Sequence, residues 1–429
     1  MLRMKGSVVK RLAEYERTQW YSASDIAAYQ AQRLEALLQH ASQHVPYYRK
    51  VIQVPRATQL TSLPLLTKDI LRKNFDDLQS DDLGSRDWYV NTSGGSTGEP
   101  ARFIQDESYR EQNIALEHLG YRMTGKDIGD PEVRLWGSER DIFKGTIGMR
   151  ARVGNWVRNQ TFLNAFSMSP ETMKGFIEQL NAIRPKVVIA YAQSAYELAQ
   201  FSVERSLPIE GVGAVMTSAG TLYPFMREAI SQAFHAPVFN RYGSREVGDI
   251  ATECDAHLGL HIHMENQVVE ILDKDGVPCP PGQMGEIVVT SLHNYAMPLI
   301  RYRIGDMGSW LGQECTCGRG SALLREVSGR VVDTFLTKSG KKIDGEYFTH
   351  LIYFKNWVSK FQFVQEDLET IKVRIQKCDE PVARDLQEIE DKVRVVMGDD
   401  CKVEFEFVDE IPASSSGKYR YTISRVKHA

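Results

Sequence analysis

The sequence lacks any apolar run near the roughly 18–20 residues that cross a bilayer, which excludes a helical membrane span. Its six cysteines, spread through 429 residues, are too few for the disulfide scaffold of a small secreted protein. The opening MLRMKGSVVKRLAEYERTQW carries charge and no apolar h-region, which argues against a secretory signal peptide. Neither sign of charge dominates: 52 basic against 56 acidic side chains give a net charge of -4. That balance lacks the basic footprint that a nucleic-acid partner requires. Gly/Pro-rich repeats, other low-complexity stretches and internal repeats are absent too. What remains is an ordinary globular composition, with 42% hydrophobic and 25% charged residues. At about 100–200 residues per domain the length allows two to four domains. The expectation is a cytoplasmic enzyme or binding protein, without nucleic acid and without membrane insertion.

Periodicity orders the chain. Ile26 to Leu38 places apolar residues at helical spacing, and Val45-Pro46-Tyr47-Tyr48 ends that helix. A short helix is expected from Lys68 to Phe75, and another from Pro170 to Ile183 with Ser169 as N-cap. The middle alternates: a strand at Val187 to Ala190, a helix from Ser194 to Arg205, a strand at Ala214 to Met216, a helix from Phe225 to Phe234, and a strand at Pro237 to Phe239. That order implies a mostly parallel sheet covered by helices. After Gly259, strand-like runs separated by turns suggest a β-rich subdomain, antiparallel or barrel-like, over about 260–328. The last hundred residues read as a separate α+β unit. Phe361–Val364 and Ile371–Ile375 form a hairpin, Ala383–Val396 an amphipathic helix, and Lys402–Val408 a further strand. The expected architecture is α/β: an N-terminal domain over 1–328, with mostly parallel sheets and that subdomain, then a small mobile α+β domain over 329–429.

The most informative stretch is Asn91-Thr92-Ser93-Gly94-Gly95-Ser96-Thr97-Gly98-Glu99-Pro100. Glycines permit close backbone approach, and hydroxyls donate to polyphosphate oxygens. No Gly-Lys-Ser/Thr follows, so it is not a Walker loop. Alone, such a run is as often a surface turn. Four further segments accompany it in order: Asn240-Arg241-Tyr242-Gly243-Ser244-Arg245-Glu246, Arg301-Tyr302-Arg303-Ile304-Gly305-Asp306, Gly329-Arg330, and Pro412 through Gly417-Lys418. Together they resemble the motif set of the adenylate-forming superfamily, the acyl-CoA synthetases and relatives. The segments Leu34 to Tyr48, Leu63 to Leu71 (LPLLTKDIL) and Thr290 to Tyr302 are similar to the phenylacetate–CoA ligase branch. Leu135 to Ser138 and Asp344-Gly345 are similar to its CapK-type members.

The resemblance implies ATP-dependent activation of a carboxylic acid to an acyl-adenylate, followed by transfer to CoA or another thiol. It implies Lys418 as the cation on carboxylate and α-phosphate. Glu246 is implied as the magnesium ligand, with Thr97 nearby. Ser93, Gly94, Gly95, Ser96, Thr97 and Gly98 would cradle phosphates. Ser218, Ala219 and Gly220, with Asn240, Arg241, Tyr242 and Gly243, would bind the nucleotide, with Tyr242 stacked on the adenine and Asn240 close to it. Asp306 would bind the ribose, and Arg330 the ribose or phosphates. Trp136, Gly137, Ser138, Tyr191 and Thr221 would line the acid pocket, their aromatics favouring an aromatic acid. Related ligases also suggest a homodimer. Two departures stand out. The hinge reads Gly329-Arg330-Val331-Val332-Asp333, with valine where the branch has an aspartate. The phosphate loop lacks the lysine often found after its proline, and Arg102 is a nearby substitute. Adenylyl or acyl transfer to a small non-CoA acceptor, and a nucleotide-binding scaffold without turnover, are the alternatives.

Finally, Cys254, His261, Cys315 and Cys317 form a C-x6-H…C-x-C set. Four N/S ligands suit a closed tetrahedral zinc site, with a role in structure rather than catalysis. His257 and His263 are possible substitutes for His261. The alternative is a group of buried thiols with a strand histidine.

Overall fold

The computed structural model describes residues 6–92, 101–136, 154–155, 158–165, 168–330, 335–340, 342–343, 345–352, 355, 357–411 and 421–426. Ser93 through Gly98, Gly137, Ser138 and Lys418 lie outside the described residues. The chain divides into two compact units, with the division after Val327.

In the first unit, strands β1 (Trp88–Thr92) and β2 (Arg102–Asp106) pair antiparallel, Thr92 opposite Arg102, on either side of the Gly/Ser/Thr segment. The main sheet is built from β3 (Glu132–Trp136), β4 (Gln160–Asn164), β5 (Val187–Tyr191), β6 (Val215–Ser218), β7 (Val238–Ser244), β8 (Gly248–Glu253), β9 (Leu260–Ile262), β10 (Gln267–Leu272), β11 (Gly285–Ser291), β12 (Tyr302–Trp310) and β13 (Leu323–Arg330). These eleven strands lie in the order 10-11-12-13-9-8-7-6-5-3-4. From β4 to β7 the pairing is parallel. From β7 into β8 and β9 it is antiparallel. The strands after Gly259 therefore continue the same sheet rather than closing a barrel of their own. The four residues Val187 to Ala190 are all buried, as a parallel strand covered on both faces requires.

Helices follow the capping logic of the sequence. Ser169 accepts from the Thr172 amide and Pro170 opens the helix Pro170–Ile183. Ser22 caps the helix Ala23–His44 by accepting from Asp25. On that helix Leu34, Leu37, Leu38 and Ala41 form one buried stripe, packed in a single core with Ile287, Val289, Leu299, Ile300 and Tyr302. Downstream of it, Leu66 is stitched to β12. Its amide donates to the Arg301 carbonyl and its carbonyl accepts from the Arg303 amide, both at 2.9 Å. Thr67 then caps the helix Lys68–Lys73.

The second unit holds a short pair, β14 (Phe335–Leu336) and β15 (Lys342–Ile343). Its main sheet has β16 (Val358–Gln365), β17 (Thr370–Lys377), β18 (Lys402–Phe407) and β19 (Thr422–Ser424), in the order 18-17-16-19. The hairpin pairs Phe363 with Val373, and the helix Ala383–Met397 buries Ile389, Val393, Val396 and Met397. Gly340 takes φ +79° where its amide closes a turn onto the Thr337 carbonyl, a conformation that glycine adopts without steric cost.

Candidate active site and metal centre

β7 is the strand at which the sheet changes from parallel to antiparallel, and it carries the Tyr-Gly-x-x-Glu segment. Period-two alternation puts Asn240 and Tyr242 on one face and Arg241 on the other. The Asn240 amide donates to Glu253 at 2.8 Å, and the Thr217 hydroxyl of β6 faces the Phe239 carbonyl and the Asn240 side chain. Gly243 has a geometric reason: a Cβ there would meet the Gly248 carbonyl at 2.6 Å. Beside β7, β6 ends at Ser218, and the chain turns through Ala219 (φ +50°) and Gly220 (φ +151°). This turn lies at the carboxyl end of parallel strands, where open α/β sheets bind ligands. The alternation of β7 puts Arg241 on the opposite face from Asn240 and Tyr242. Its guanidinium lies 3.5 Å from Asp249 and 3.6 Å from Glu117 in a buried ion-pair network. Burial opposes the Arg241 charge, but these carboxylates outweigh it and raise its pKa. Burial likewise opposes ionisation of Glu117, yet Arg134 and Arg241 hold it down at about 2.

The two motif segments interlock. The Tyr242 hydroxyl donates to Asp306 at 2.8 Å, and the Tyr302 hydroxyl faces the Glu246 carboxylate at 3.4 Å. Each motif spaces its tyrosine and its carboxylate by four residues, and the pairs cross. Glu246 is only 6% exposed. Its backbone carbonyl and that of Arg245 accept from the Gln105 side chain of β2. Lys68 Nζ lies 3.7 Å from its carboxylate. Arg301, the first residue of the second motif, has an architectural place. It takes φ +50°, grips Glu270 through two bonds of 2.9 and 3.0 Å, and donates to the Thr61 and Leu63 carbonyls. It thereby fixes the segment that leads to Lys68. Lys68 and Tyr302 were missed as site residues from sequence, although both lie in segments whose similarity to the ligase branch is plain.

At the far end of β3 and β5, the Trp136 and Tyr191 rings lie 4.1 Å apart between centroids, tilted by 32°. Tyr191 pairs with Ser218 across β5 and β6, so this aromatic pair adjoins the Ser218–Gly220 turn. Thr221, half-buried, follows that turn. Arg330 ends β13.

A second cluster sits in the antiparallel half. Cys254 follows β8, His261 lies in β9, and Cys315 and Cys317 lie between β12 and β13. One ligand atom from each falls within 4.8 Å of all the others. Cys254 Sγ and Cys315 Sγ are 3.6 Å apart, and Cys317 Sγ is 3.4 Å from His261 Nε2. A tetrahedron with metal–sulfur bonds near 2.3 Å and metal–nitrogen bonds near 2.0 Å has edges of about 3.5–3.8 Å. Two of the separations are close to such edges, and the donor chemistry suits zinc. His261 Nδ1 is held by Ser321 at 3.0 Å, which leaves Nε2 for a metal. Burial pushes His261 down to about 4, so the imidazole is neutral, the ligating form. Burial pushes the Cys254 thiol up to about 12. At Cys317 burial also opposes ionisation, but the Arg319 amide and the neighbouring thiols outweigh it and lower the pKa. His257 instead faces Glu253, and His263 bonds Thr252 at 3.0 Å, so neither substitutes for His261.

Residues 335–425 match the family model of the CapK C-terminal domain. Protein CapK of Staphylococcus aureus is 25% identical over 432 residues, covering 98% of this chain and 92% of that protein. The chain is thus similar over nearly its whole length to a CapK protein, and its C-terminal part matches that family's domain model. Among its further CapK-like and ligase-like relatives, the phenylacetate-coenzyme A ligase of Thermus thermophilus is 23% identical over 331 residues, 73% of this chain and 72% of that protein. A crystal structure of 2-hydroxyisobutyryl-CoA ligase in the postadenylation state superposes with a TM-score of 0.62 at 21% identity, covering 92% of this chain and 88% of that one. This likeness shows the ligase fold, α/β with a small α+β unit. Among the described residues, no helix of this chain is long and apolar enough to cross a membrane.

Proposed function

We propose that the protein uses ATP to activate a carboxylic acid as an acyl-adenylate, releasing pyrophosphate, and then passes the acyl group to CoA or another thiol. The observation that carries this reading is the crossed pairing of Tyr242 with Asp306 and of Glu246 with Tyr302 beside the Ser218–Gly220 turn. It brings two tyrosines and two carboxylates together, which supports reading Asp306 as the ribose acceptor and Glu246 as the metal ligand.

In this reading Tyr242 offers its ring to adenine, with Asn240 and the Ser218–Gly220 turn on the same side. Asp306 accepts from the ribose hydroxyls, and its bond from Tyr242 fixes its orientation. Ser93 through Gly98 cradle the terminal phosphates. Glu246 and Thr97 would hold magnesium, a hard cation that keeps most of its waters. Bound there, it would neutralise charge on the departing pyrophosphate. Lys418 places a positive charge on the carboxylate and α-phosphate, and Arg330 approaches the ribose. A carboxylate oxygen attacks the α-phosphorus, the bond to the bridging oxygen breaks, and pyrophosphate leaves. Catalysis is then positioning and charge stabilisation. Trp136, Tyr191 and Thr221, with Gly137 and Ser138, form the acid pocket, which suits a flat or aromatic acid. The Cys/His set would bind structural zinc and clamp the 315–318 turn to the end of β8.

The valine at 332 favours a second reading of the last step, in which a small amine or hydroxyl replaces CoA. One experiment separates these readings: pyrophosphate release with ATP and magnesium against a panel of carboxylic acids, with and without CoA. Release that depends on one acid is the expected result, and CoA dependence selects the ligase. Release without CoA consumption selects another acceptor. No release with any acid leaves the non-catalytic scaffold. Lys418→Ala should abolish release while ATP binding persists.

A further inference from the structure

Gln105 lies on β2, the strand that leaves the phosphate segment, and it is buried. Both ends of its side-chain amide are engaged. Its Nε2 donates to the Arg245 carbonyl at 2.8 Å and to the Glu246 carbonyl at 3.2 Å. Its Oε1 accepts from the Asn91 side-chain amide at 3.1 Å. Asn91 lies on β1, the strand that enters the same segment, and its own orientation is fixed because its Oδ1 accepts from the Thr92 amide. A glutamine suits this place because one short group donates and accepts at once.

Arg245, Glu246 and Val247 form the turn between β7 and β8. Loops ordinarily leave their backbone to water. Here the three carbonyls meet side chains from other elements: Gln105 at Arg245 and Glu246, the Tyr109 hydroxyl at Glu246, and Gln267 at Val247. Of these three side chains, Gln105 is the one that belongs to a strand flanking the phosphate segment. Magnesium demands near-ideal octahedral geometry with bonds of about 2.0–2.1 Å. A carboxylate ligand carried on a turn must therefore be placed closely against the phosphates that share the ion. We propose that Gln105 is a positioning residue that ties the turn bearing Glu246 to the two strands bearing the phosphate segment, and so sets the reach of Glu246 for a magnesium ion shared with the nucleotide. This rests on Glu246 as the magnesium ligand, the reading given under Proposed function. Gln105 acts through the backbone of the turn.

The test is calorimetric titration of ATP into the full-length protein, once with magnesium and once with EDTA, with AMP as a third titrant. Wild-type protein should bind ATP more tightly with magnesium. Gln105→Met keeps the length of the side chain and removes its donors and acceptor. It should lose fivefold or more of the magnesium-dependent gain, while ATP in EDTA and AMP stay within twofold of wild type. Thermal melting checks folding, with Gln105→Glu as the second variant should Gln105→Met not fold. An undiminished magnesium gain in the folded variant would overturn the proposal. Equal weakening of ATP with magnesium and with EDTA would overturn it too, because the glutamine would then support the site as a whole. A wild-type protein that binds ATP with no gain from magnesium would remove the metal reading of Glu246 itself, an outcome distinct from both.

Discussion

The Cys/His cluster and the Glu246 pocket sit in the same unit and use opposite designs. The cluster is closed: four soft donors face one point within 4.8 Å of one another, and Ser321 supports the histidine from behind. Nothing is left for a substrate. At Glu246, among the described residues, the Tyr302 hydroxyl lies at 3.4 Å and Lys68 Nζ at 3.7 Å, both longer than a strong charge-assisted bond. The contrast is between four donors gathered on one point and a carboxylate that meets a hydroxyl and an ammonium at longer range.

Breaking the closed side should give the largest effect. Metal analysis of freshly purified protein should find one zinc per chain, and Cys254→Ser or Cys315→Ser should lose it. Structural zinc binding is worth on the order of 10 kcal/mol, so melting should fall by more than about 10 °C. Protein purified without zinc, or unaffected by these substitutions, would collapse the contrast from that side. Next comes the open side. Glu246→Gln keeps the shape and removes the charge, and should slow pyrophosphate release by roughly 10²–10³-fold while melting shifts by no more than about 2 °C. A melting loss as large as that of Cys254→Ser would make Glu246 structural. The smallest effect sharpens the comparison within the pocket. Tyr242→Phe removes one hydrogen bond to Asp306 and should weaken ATP by about 1 kcal/mol, roughly fivefold, in an equilibrium titration. An unchanged titration would show that Asp306 needs no such orientation.

Sequence periodicity revealed elements whose burial is local and regular. The helix Pro170–Ile183 and the buried strand Val187–Tyr191 carry their own patterns, and so does the hairpin of β16 with β17. The hairpin of β1 with β2 went unread, because Trp88, Tyr89 and Val90 are all exposed and give no alternation. The antiparallel strands were read as a subdomain, because β9 is inserted between β8 and β13 and neighbours that distant leave no local trace. The motif residues were legible as types and spacings, but their partnerships were not. Glu246 was placed on a metal without Lys68, whose own short helix had been read, because the two meet only through the fold. Arg241 lies one step along the strand from Asn240 and Tyr242, which reverses its face, a relation that the motif spacing alone does not display. The Cys/His set was the most legible, since few roles other than metal binding explain three cysteines and a histidine meeting at one point.

The stitch between Leu66 and β12 also governs when the protein can become competent during synthesis. The anchor of Leu66 is the backbone of Arg301 and Arg303, so the segment bearing Lys68 leaves the ribosome long before its docking strand exists. At roughly 5–20 residues per second, that wait is on the order of ten to fifty seconds. Throughout it the Leu34–Ala41 stripe has no Ile287, Val289 or Tyr302 to cover it. Until the later half of the sheet emerges, the stripe can pack only on earlier members of its core, such as Leu60, Leu63, Leu71 and Leu78.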